Sequence, residues 1–450
     1  MLNKIVKKTE ESRFWDEKIE TQSREELEKY QLEKLKETVK FAYENSPYYK
    51  RSFDAAGVSP NDIKELSDIK KLPFINKQTE RETQGVGSFL GELAAVPEED
   101  VVFISSSSGS TGVPTMSPFT KTDFDEFQDV ESRLFYQIGM RKNDRYVHAL
   151  NFSLFVGGPD VIGAQNLGAL CIWAGTIPSE RLLFILKTYQ PTVIWTTPSY
   201  AWYLGETAKK QGIDPAKDLS INKIIVCGEP GGSIDETREA IEKLWDAKVY
   251  DFYGISDIFG ACAAMCDAFD GLHLAEDHIF VEVLDLNTGE PVSDGERGEL
   301  VFTTLRKKGR PMIRFRTGDI GYVNRNKCSC GRTSARIHIV GRKDDMFIVS
   351  GVNVFPSDIE VVIRGLKGTT GEYVVRVYDK DYTTKYKVEV EKDDDNPLSD
   401  GEFSDEVSKA LKARIGVKPA EVVVLKDGTI PRATHKARRL IDERILNYEI

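Results

Sequence analysis

The sequence predicts an α/β protein built from a large N-terminal unit and a small C-terminal unit. In the middle of the chain, short apolar runs alternate with amphipathic stretches, a pattern typical of strand–helix–strand units in parallel or mixed sheets. From His278 to Ile320, an Asn-Thr-Gly turn and an Asp-Gly turn separate apolar runs, which indicates antiparallel hairpins. After Gly341 the pattern changes to a smaller unit of mixed strand and helix.

The first predicted element is a helix over residues 23–56, because apolar residues recur at spacings of three and four. Ser46-Pro47 should interrupt it, since a residue that precedes proline avoids the helical conformation. The predicted central strands are RYVHALNF, ALCIWAG, PTVIWTTP, NKIIVCG and KVYDFYG, and the intervening helices are SERLLFILKTY and IDETREAIEKLW.

The C-terminal unit is predicted from the runs FIVSGVNV, DIEVVIRGL, EYVVRVYD, YKVEVEK and AEVVVL and from a helix near DEVSKALKAR. Polar residues interrupt the apolar pattern just before it. We therefore expect a large domain over 1–341, a hinge over 342–345 and a small domain over 346–450.

Length, composition and net charge limit the kinds of function that the protein can have. The chain has 450 residues, 40% of them hydrophobic, so two or three domains can form cores. A net charge of -11 argues against nucleic acid or an anionic membrane as the main partner. With no signal-peptide core and no run of roughly 18 apolar residues, the protein is expected to be cytoplasmic. Its six cysteines are then thiols or metal ligands rather than disulfides.

A loop rich in hydroxyl residues follows an early apolar run. Glycine lets backbone N–H groups turn toward an anion, and Ser and Thr add small donors. The loop therefore suits the phosphates of a nucleotide, although no Lys follows Gly112 as it does in the common phosphate loop. A flexible linker is the alternative. The candidate residues are Ser107, Ser108, Gly109, Ser110, Thr111 and Gly112.

Five segments in order resemble the motifs of the adenylate-forming enzymes, a family that includes acyl-CoA synthetases and adenylation domains. They are the loop Ser107–Thr115, Tyr253-Gly254-Ile255-Ser256-Asp257, Arg316-Thr317-Gly318-Asp319, Gly341-Arg342-Lys343-Asp344-Asp345, and Lys436 in PRATHKARRL. The runs LEKLKETVKFAYENSPYYK and SGVNVFPSDIE are similar to the phenylacetate-CoA ligase branch.

This resemblance implies a distorted antiparallel barrel in the large domain and a mobile C-terminal domain. It also implies ATP, Mg²⁺ and coenzyme A as ligands, with an aromatic, phenylacetate-like acid activated as acyl-AMP and passed to CoA. A carrier-protein thiol or another acceptor is the alternative partner, and a catalytically weak nucleotide-binding relative is a third class. A homodimer is left open.

The resemblance also assigns roles to single residues. Lys436 would be the adenylating lysine, with a solvated surface lysine as the alternative, and Asp257 would be the Mg²⁺ ligand, one methylene shorter than the usual glutamate; for Asp319, assigned below to the ribose, a turn aspartate is the alternative. Val113 stands where a basic residue often follows the loop. The nucleotide would further be bound by Gly228, Glu229 and Pro230 at the adenine edge, Asp319 on the ribose, and Asp251, Tyr253, Gly254, Ser256, Arg342 and Asp344, with Asp344 as the hinge.

Six residues match stretches that line the acyl pocket in the phenylacetate branch, and aromatic and small residues suit a flat ring. For each of them an ordinary core position is the alternative. They are Phe152, Phe155, Gly157, Thr197, Ser199 and Tyr200.

A structural zinc site is predicted from two loops. Cys328 and Cys330 lie in a C-x-C-G turn, and Cys266 and His273 lie in a loop upstream. Three thiolates and one imidazole form a tetrahedral zinc set, and relatives in this branch contain zinc. His278 and Cys262 are alternative ligands, and free thiols are the alternative to a site.

Overall fold

The fold is described by a computed structural model, which covers residues 12–107, 114–152, 157–380, 383–432, 437 and 439–446. Its α-helices are α1 (Glu17–Thr21), α2 (Arg24–Asn45), α3 (Pro47–Ala56), α4 (Lys77–Thr83), α5 (Lys121–Gln137), α6 (Val161–Leu167), α7 (Ser179–Tyr189), α8 (Pro198–Lys210), α9 (Pro215–Asp218), α10 (Asp235–Trp245), α11 (Pro356–Gly365), α12 (Asp400–Ile415) and α13 (Glu443–Leu446).

Its strands are β1 (Val101–Ser106), β2 (Met116–Thr120), β3 (Arg145–His148), β4 (Leu170–Trp173), β5 (Val193–Thr196), β6 (Lys223–Cys227), β7 (Lys248–Ile255), β8 (Phe259–Ala264), β9 (Leu272–Leu274), β10 (Ile279–Leu284), β11 (Gly298–Thr304), β12 (Phe315–Asn324), β13 (Arg336–Arg342), β14 (Phe347–Val349), β15 (Val352–Val354), β16 (Thr369–Lys380), β17 (Thr383–Lys392), β18 (Glu421–Lys426) and β19 (Leu440–Asp442). Short 3₁₀ turns occupy Pro60–Asp62, Leu66–Lys71 and Glu98–Asp100.

One mixed sheet of 11 strands organises the large unit, in the order β10-β11-β12-β13-β9-β8-β7-β6-β5-β3-β4. Strands β4, β3, β5, β6 and β7 run parallel. From β7 to β10 the neighbours are antiparallel. The antiparallel half that the resemblance implies as a distorted barrel is thus, in the described residues, a continuation of the same sheet.

Two apolar cores cover this sheet. The larger joins it to α2, α3, α5 and α6 and contains residues such as Phe53, Phe127 and Phe252. The second joins it to α7, α8 and α10, with Leu182, Leu204 and others. Burial on both faces explains why the parallel strands read as continuous apolar runs rather than as alternating ones.

The predicted N-terminal helix is two helices. Helix α2 ends at Asn45, and Ser46 caps the next helix, whose first residue is Pro47. Proline is favoured at that position because its missing N–H would have no helical partner. The predicted interruption at Ser46-Pro47 is therefore confirmed, and the chain resumes as α3 up to Gly57, which takes a left-handed conformation at φ 65°.

Residues beyond β13 form a separate core. Strands β18-β17-β16-β19 make one sheet, and α11 and α12 pack against it around Tyr373, Val388 and Leu411. The hairpin β14–β15 precedes it. None of the helices in the described part of the chain is both long enough and apolar enough to cross a membrane.

Candidate active site

The base of the predicted phosphate loop is a hairpin closed by hydrogen bonds. Strands β1 and β2 pair antiparallel up to Ser106 and Met116. Beyond them, the Ser107 N–H donates to the Thr115 carbonyl at 3.1 Å, and the two hydroxyls are hydrogen-bonded at 2.9 Å. The predicted loop residues Ser108, Gly109, Ser110, Thr111 and Gly112 lie outside the described residues.

The tyrosine–glycine–hydroxyl–acid segment lies directly behind that base. The Ser105 hydroxyl donates to the Ser256 carbonyl at 2.8 Å, so the hairpin and the end of β7 are tied together. Gly254 is required by close packing, since a Cβ there would lie 2.0 Å from the Gly260 carbonyl oxygen. Ser105 and Ser256, which are 151 residues apart in the chain, therefore bring these two motif segments together.

Asp257 is a buried ion-pair acid. Its carboxylate pairs with Lys77, accepts from the Thr115 hydroxyl at 3.0 Å and lies 3.6 Å from Arg310. Burial raises the pKa of Asp257, but Lys77 and Arg310 outweigh burial and hold it below its usual value. The side chain is only 2% exposed.

These contacts bear on the predicted Mg²⁺ site. A divalent cation at Asp257 would have to share a carboxylate that two protein cations already neutralise, and like charges at such a distance repel. The described arrangement therefore does not fit a metal at Asp257 unless Lys77 moves away. The obstacle is the buried ion pair and not the length of the aspartate side chain.

Lys77, Glu80 and Arg310 are site residues that the sequence did not reveal. The Lys77 ammonium group donates to the Thr115 hydroxyl at 2.8 Å and lies 3.3 Å from Glu80. Arg310 pairs with Glu80 at 2.6 Å. Burial raises the pKa of Glu80 to about 7, against the effect of Arg310. Lys77 thus puts a cation at the loop base, although the loop itself has Val113.

The predicted ribose acid and hinge arginine form a hydrogen-bonded chain. Asp319 accepts from the Tyr253 hydroxyl at 2.6 Å and from Arg342 at 2.8 Å. Arg342 also pairs with Asp344 at 3.2 Å. Burial and the Asp319 carboxylate raise the pKa of Tyr253 well above its usual value, so the phenol stays protonated and donates. The structure brings these four predicted residues together.

The predicted adenine-edge segment follows β6. Gly228 takes a φ of 85°, which turns the chain there. The Glu229 carboxylate accepts from the backbone N–H groups of Ser199 at 2.8 Å and Ala437 at 2.7 Å. Asp251, on β7, accepts from the Ser233 hydroxyl, and burial raises its pKa to about 7.

The predicted acyl-pocket residues separate into two groups. The Phe152 ring stacks on Trp173 with centroids 5.3 Å apart, and both rings are partly exposed. Gly157 lies nearby, where a Cβ would be 3.7 Å from Leu150. Phe155 lies outside the described residues.

The other group surrounds the start of α8. Thr197 caps that helix by accepting from the Tyr200 N–H at 3.3 Å. Tyr200 is 6% exposed, packs in the core between α7 and α8, and its hydroxyl is hydrogen-bonded to Ser179 at 3.1 Å. Tyr200 thus contacts the core between α7 and α8, and its place in the acyl pocket stays a prediction.

The predicted adenylating residue Lys436 lies outside the described residues, but both sides of its segment are described. Upstream, Arg432 pairs with Glu391 at 2.7 Å. Downstream, Arg439 makes a two-pronged contact with Glu372, at 2.5 and 3.2 Å. The segment is thus fixed at both ends to the C-terminal unit.

The predicted zinc ligands converge. The ligand atoms of Cys266, His273, Cys328 and Cys330 all lie within 4.8 Å of one another. The Cys266 and Cys328 sulfurs are 3.7 Å apart, and the Cys330 sulfur is 3.4 Å from His273 Nε2. Tetrahedral bonds of about 2.3 Å to sulfur and about 2.0 Å to nitrogen need separations of this size, so the residues fit zinc.

The second nitrogen of His273 is also fixed. Its Nδ1 is 3.0 Å from the Ser334 hydroxyl, which leaves Nε2 directed at the thiols, as is usual for a metal-bound imidazole. The alternative ligands lie elsewhere: His278 contacts Asp277 at 3.0 Å, and Cys262 is buried in the large core.

Most of the chain matches the models of one known family of enzymes. A family model described as AMP-binding enzyme matches residues 19–305, and one described as AMP-binding enzyme C-terminal domain matches residues 351–444. The second match lies in the unit that has its own core.

Curated relatives extend this similarity over nearly the full length. The chain is 36% identical to a phenylacetate-coenzyme A ligase of Pseudomonas putida, over 95% of this chain and 96% of that one. It is 34% identical to a phenylacetate-coenzyme A ligase of Thermus thermophilus, over 96% of this chain and 100% of that one.

Solved structures show the same fold. A 2-hydroxyisobutyryl-CoA ligase in the postadenylation state, in complex with 2-HIB-AMP, superposes with a TM-score of 0.92 at 29% identity, covering 98% of this chain and 94% of that one. The same ligase with 2-HIB-AMP and CoA in its thioesterification state gives 0.73 at 30% identity, covering 98% and 95%. The described arrangement of the two units is therefore closer to the postadenylation one.

Proposed function

The chain belongs to the AMP-binding enzyme family and is an AMP-forming acid–CoA ligase that works through an acyl-AMP; on that premise we propose that its acid is phenylacetate or a similar small arylacetic acid. The observation that carries this proposal is the identity of 34–36% to phenylacetate-coenzyme A ligases over about 95% of the chain.

The aromatic shelf formed by Phe152 and Trp173 supports an aromatic acid. These rings are parallel to within 10° and remain 37% and 52% exposed. An exposed stacked pair offers a face to a third flat ring, and offset stacking contributes about 0.5–1.5 kcal/mol beyond burial. A small hydroxy acid is the second candidate, because the 2-hydroxyisobutyryl-CoA ligase structures superpose over nearly the whole chain.

A pyrophosphate-release screen over carboxylic acids tests this proposal. We expect phenylacetate to give the highest kcat/KM, and 2-hydroxyisobutyrate and hexanoate to give values at least about tenfold lower. A lost methylene contact costs about 1–3 kcal/mol, and lost ring stacking costs about 0.5–1.5 kcal/mol. Highest activity with 2-hydroxyisobutyrate would contradict the aromatic acid and favour the second candidate.

Two further measurements address the partners. Adding either CoA or a carrier domain to the same assay shows which of them accepts the acyl group. Size-exclusion chromatography shows whether the protein is a homodimer.

The chemistry requires two anions to meet, since the acid carboxylate attacks the α-phosphorus of ATP. Catalysis is then mainly positioning and charge neutralisation. We assign the positioning of the ribose to Asp319, whose geometry Tyr253 and Arg342 fix. The neutralising cation for the meeting anions is Lys436. Lys77 adds a second cation at the loop base.

Magnesium accompanies ATP throughout this family and would neutralise phosphate charge when bound. Its ligands would be phosphate oxygens and water, with Asp257 available only after Lys77 turns from the carboxylate toward the phosphates. The buried carboxylates would stay compensated in that case, because Arg310 remains 2.6 Å from Glu80 and 3.6 Å from Asp257.

We also propose a structural zinc ion held by Cys266, His273, Cys328 and Cys330. It would tie the loop after β8 and strand β9 to the loop after β12, and would supply no chemistry to the reaction. Three thiolates this close together would repel one another, and a bound zinc ion would offset that repulsion.

Removing the zinc is expected to destabilise the protein. Metal binding is coupled to folding, so a chelator that strips the ion should lower the melting temperature, and re-addition of Zn²⁺ should restore it. The measurement is a thermal melt with elemental analysis of protein purified without added metal. The variant Cys330→Ser should contain less than one zinc, whereas Cys171→Ser, at a thiol outside the cluster, should keep the full amount. A zinc content near zero in the unaltered protein would end this proposal.

The small unit is proposed to rotate about residues 342–345 between the two half-reactions. Such a hinge motion would carry Lys436 away and admit the thiol. The relatives support this idea, because the postadenylation and thioesterification structures of one ligase match this chain with different TM-scores, 0.92 and 0.73.

A further inference from the structure

Glu229 connects the two units at one point. One carboxylate oxygen accepts the Ser199 N–H at 2.8 Å, and the other accepts the Ala437 N–H at 2.7 Å. Ser199 belongs to the large unit, and Ala437 directly follows Lys436 in the chain. Between residues that the structure describes, this is the only hydrogen bond joining 430–446 to 12–341.

We propose that Glu229 is a latch, which holds the segment carrying Lys436 against the large unit for adenylate formation and lets it go when the small unit rotates. This inference rests on the proposed roles of Lys436 and of the rotation. It assigns the Glu229 side chain a positioning role in adenylation, in addition to the predicted place of residues 228–230 at the adenine edge.

The large-unit side of the latch is firm. Ser199 is the second residue of α8, a helix of 13 residues, so its N–H is one of the donors that have no partner within the helix. A carboxylate at that end is also favoured by the helix dipole. Each oxygen of Glu229 therefore accepts from one backbone donor in this arrangement.

On the small-unit side, the latch is one hydrogen bond from the Ala437 N–H. Arg432 and Arg439 bind Glu391 and Glu372, which belong to the same unit as the segment and would travel with it. Among the described residues of 430–446, the Ala437–Glu229 hydrogen bond is the one that reaches the large unit, so a rotation that carries this segment away must break it. A second interface contact, Arg364 over the Trp202 ring at 4.5 Å, lies on α11 and does not touch the segment.

Breaking the hydrogen bond between Glu229 and Ala437 should cost little free energy. A lone buried carboxylate would resist losing a donor, but Glu229 keeps the Ser199 N–H after the small unit leaves, and its open side then meets solvent. Burial raises the pKa of Glu229, while the two N–H donors lower it.

The test is the variant Glu229→Gln in the full-length enzyme, with both half-reactions measured separately. A carboxamide can accept only one of the two N–H groups and turns its own NH₂ toward the other. We expect the single-turnover rate of pyrophosphate release to fall about 10- to 100-fold, the range for losing a hydrogen bond to a charged group. Thioester formation from supplied acyl-AMP should stay within about twofold, and so should the dissociation constant for ATP.

Glu236→Gln is the matched control. It also replaces one carboxylate at the interface of the two units by an amide. Glu236 lies beside Gly365 of the small unit, since a Cβ built on Gly365 would be 3.5 Å from the Glu236 Cγ. Both half-reactions should stay within about twofold in this variant. Amide hydrogen exchange gives an independent signal: residue 437 should exchange faster in Glu229→Gln than in Glu236→Gln.

Three outcomes would overturn the latch. They are equal losses in both half-reactions, unchanged adenylation, or ATP affinity falling in step with adenylation, which would return the side chain to adenine binding. Lys436→Ala, assayed in parallel, distinguishes a failure of the latch from a failure of the proposed role of Lys436. If Lys436→Ala is selective for adenylation and Glu229→Gln is not, only the latch fails; if Lys436→Ala is unselective, the proposed function of that lysine fails.

Discussion

Replacing Lys436 by alanine should slow adenylate formation by about 10²- to 10³-fold while leaving thioester formation from a supplied acyl-AMP largely intact. The reason is that the lysine is needed only where the carboxylate meets the α-phosphate. A positioned donor or cation at developing charge is worth on the order of 3–4 kcal/mol. The measurement is a single-turnover assay of pyrophosphate release beside an assay of CoA consumption with synthetic acyl-AMP.

The control is Lys418→Ala, which removes an exposed lysine from the same unit. It should change neither half-reaction by more than about twofold. If Lys436→Ala slowed both half-reactions equally, the lysine would act on folding or on nucleotide binding in general, and its assignment to the first transition state would be wrong.

The secondary structure of the parallel half was predictable because both faces of the strands are buried. The run SERLLFILKTY is α7 from its first residue to its last, and KVYDFYG lies within β7. Local periodicity sufficed there. The run HIFVEVL likewise became β10, which pairs antiparallel with β11 as the Asn-Thr-Gly and Asp-Gly turns indicated.

The ion-pair cluster at the loop base was not predictable from local pattern. Lys77 lies in the first turn of α4, where a charged residue reads as a solvated surface position. Only the fold brings it to Asp257, which is 180 residues away along the chain. The same limit applied to Tyr200, whose partner Ser179 lies on the preceding helix.

The zinc ligands show what spacing can and cannot decide. Cys328 and Cys330 form a recognisable turn, but the sequence offered both His273 and His278 as the imidazole. The register settles it: β9 pairs with β13, which places His273 opposite Arg336 and close to the cysteine turn. His278 lies beyond β9, and its ring packs at 5.6 Å against Phe259.

The second large effect is expected at the hinge. Residues 342–345 form consecutive turns, in which Asp345 donates to the Arg342 carbonyl and Met346 to the Lys343 carbonyl, both at 3.3 Å. The Asp344 N–H takes part in neither turn, and its side chain is 77% exposed. A proline at this position therefore removes no turn hydrogen bond. It acts through its φ, which is locked near about -65°.

Asp344→Pro should consequently hold the small unit in one arrangement, the described one. A hinge residue has to absorb a large φ/ψ change, and proline cannot. We expect pyrophosphate release in a single turnover to be kept, while steady-state thioester synthesis falls by at least about tenfold because rotation of the small unit becomes rate-limiting.

Asp344→Ala separates the effect of a fixed φ from the effect of losing the side chain. It loses the 3.2 Å contact with Arg342 but leaves φ free, so it should keep thioester synthesis. Full thioester synthesis by Asp344→Pro would place the pivot elsewhere, and loss in both half-reactions would mean that the proline disturbs Arg342 and the ribose site instead.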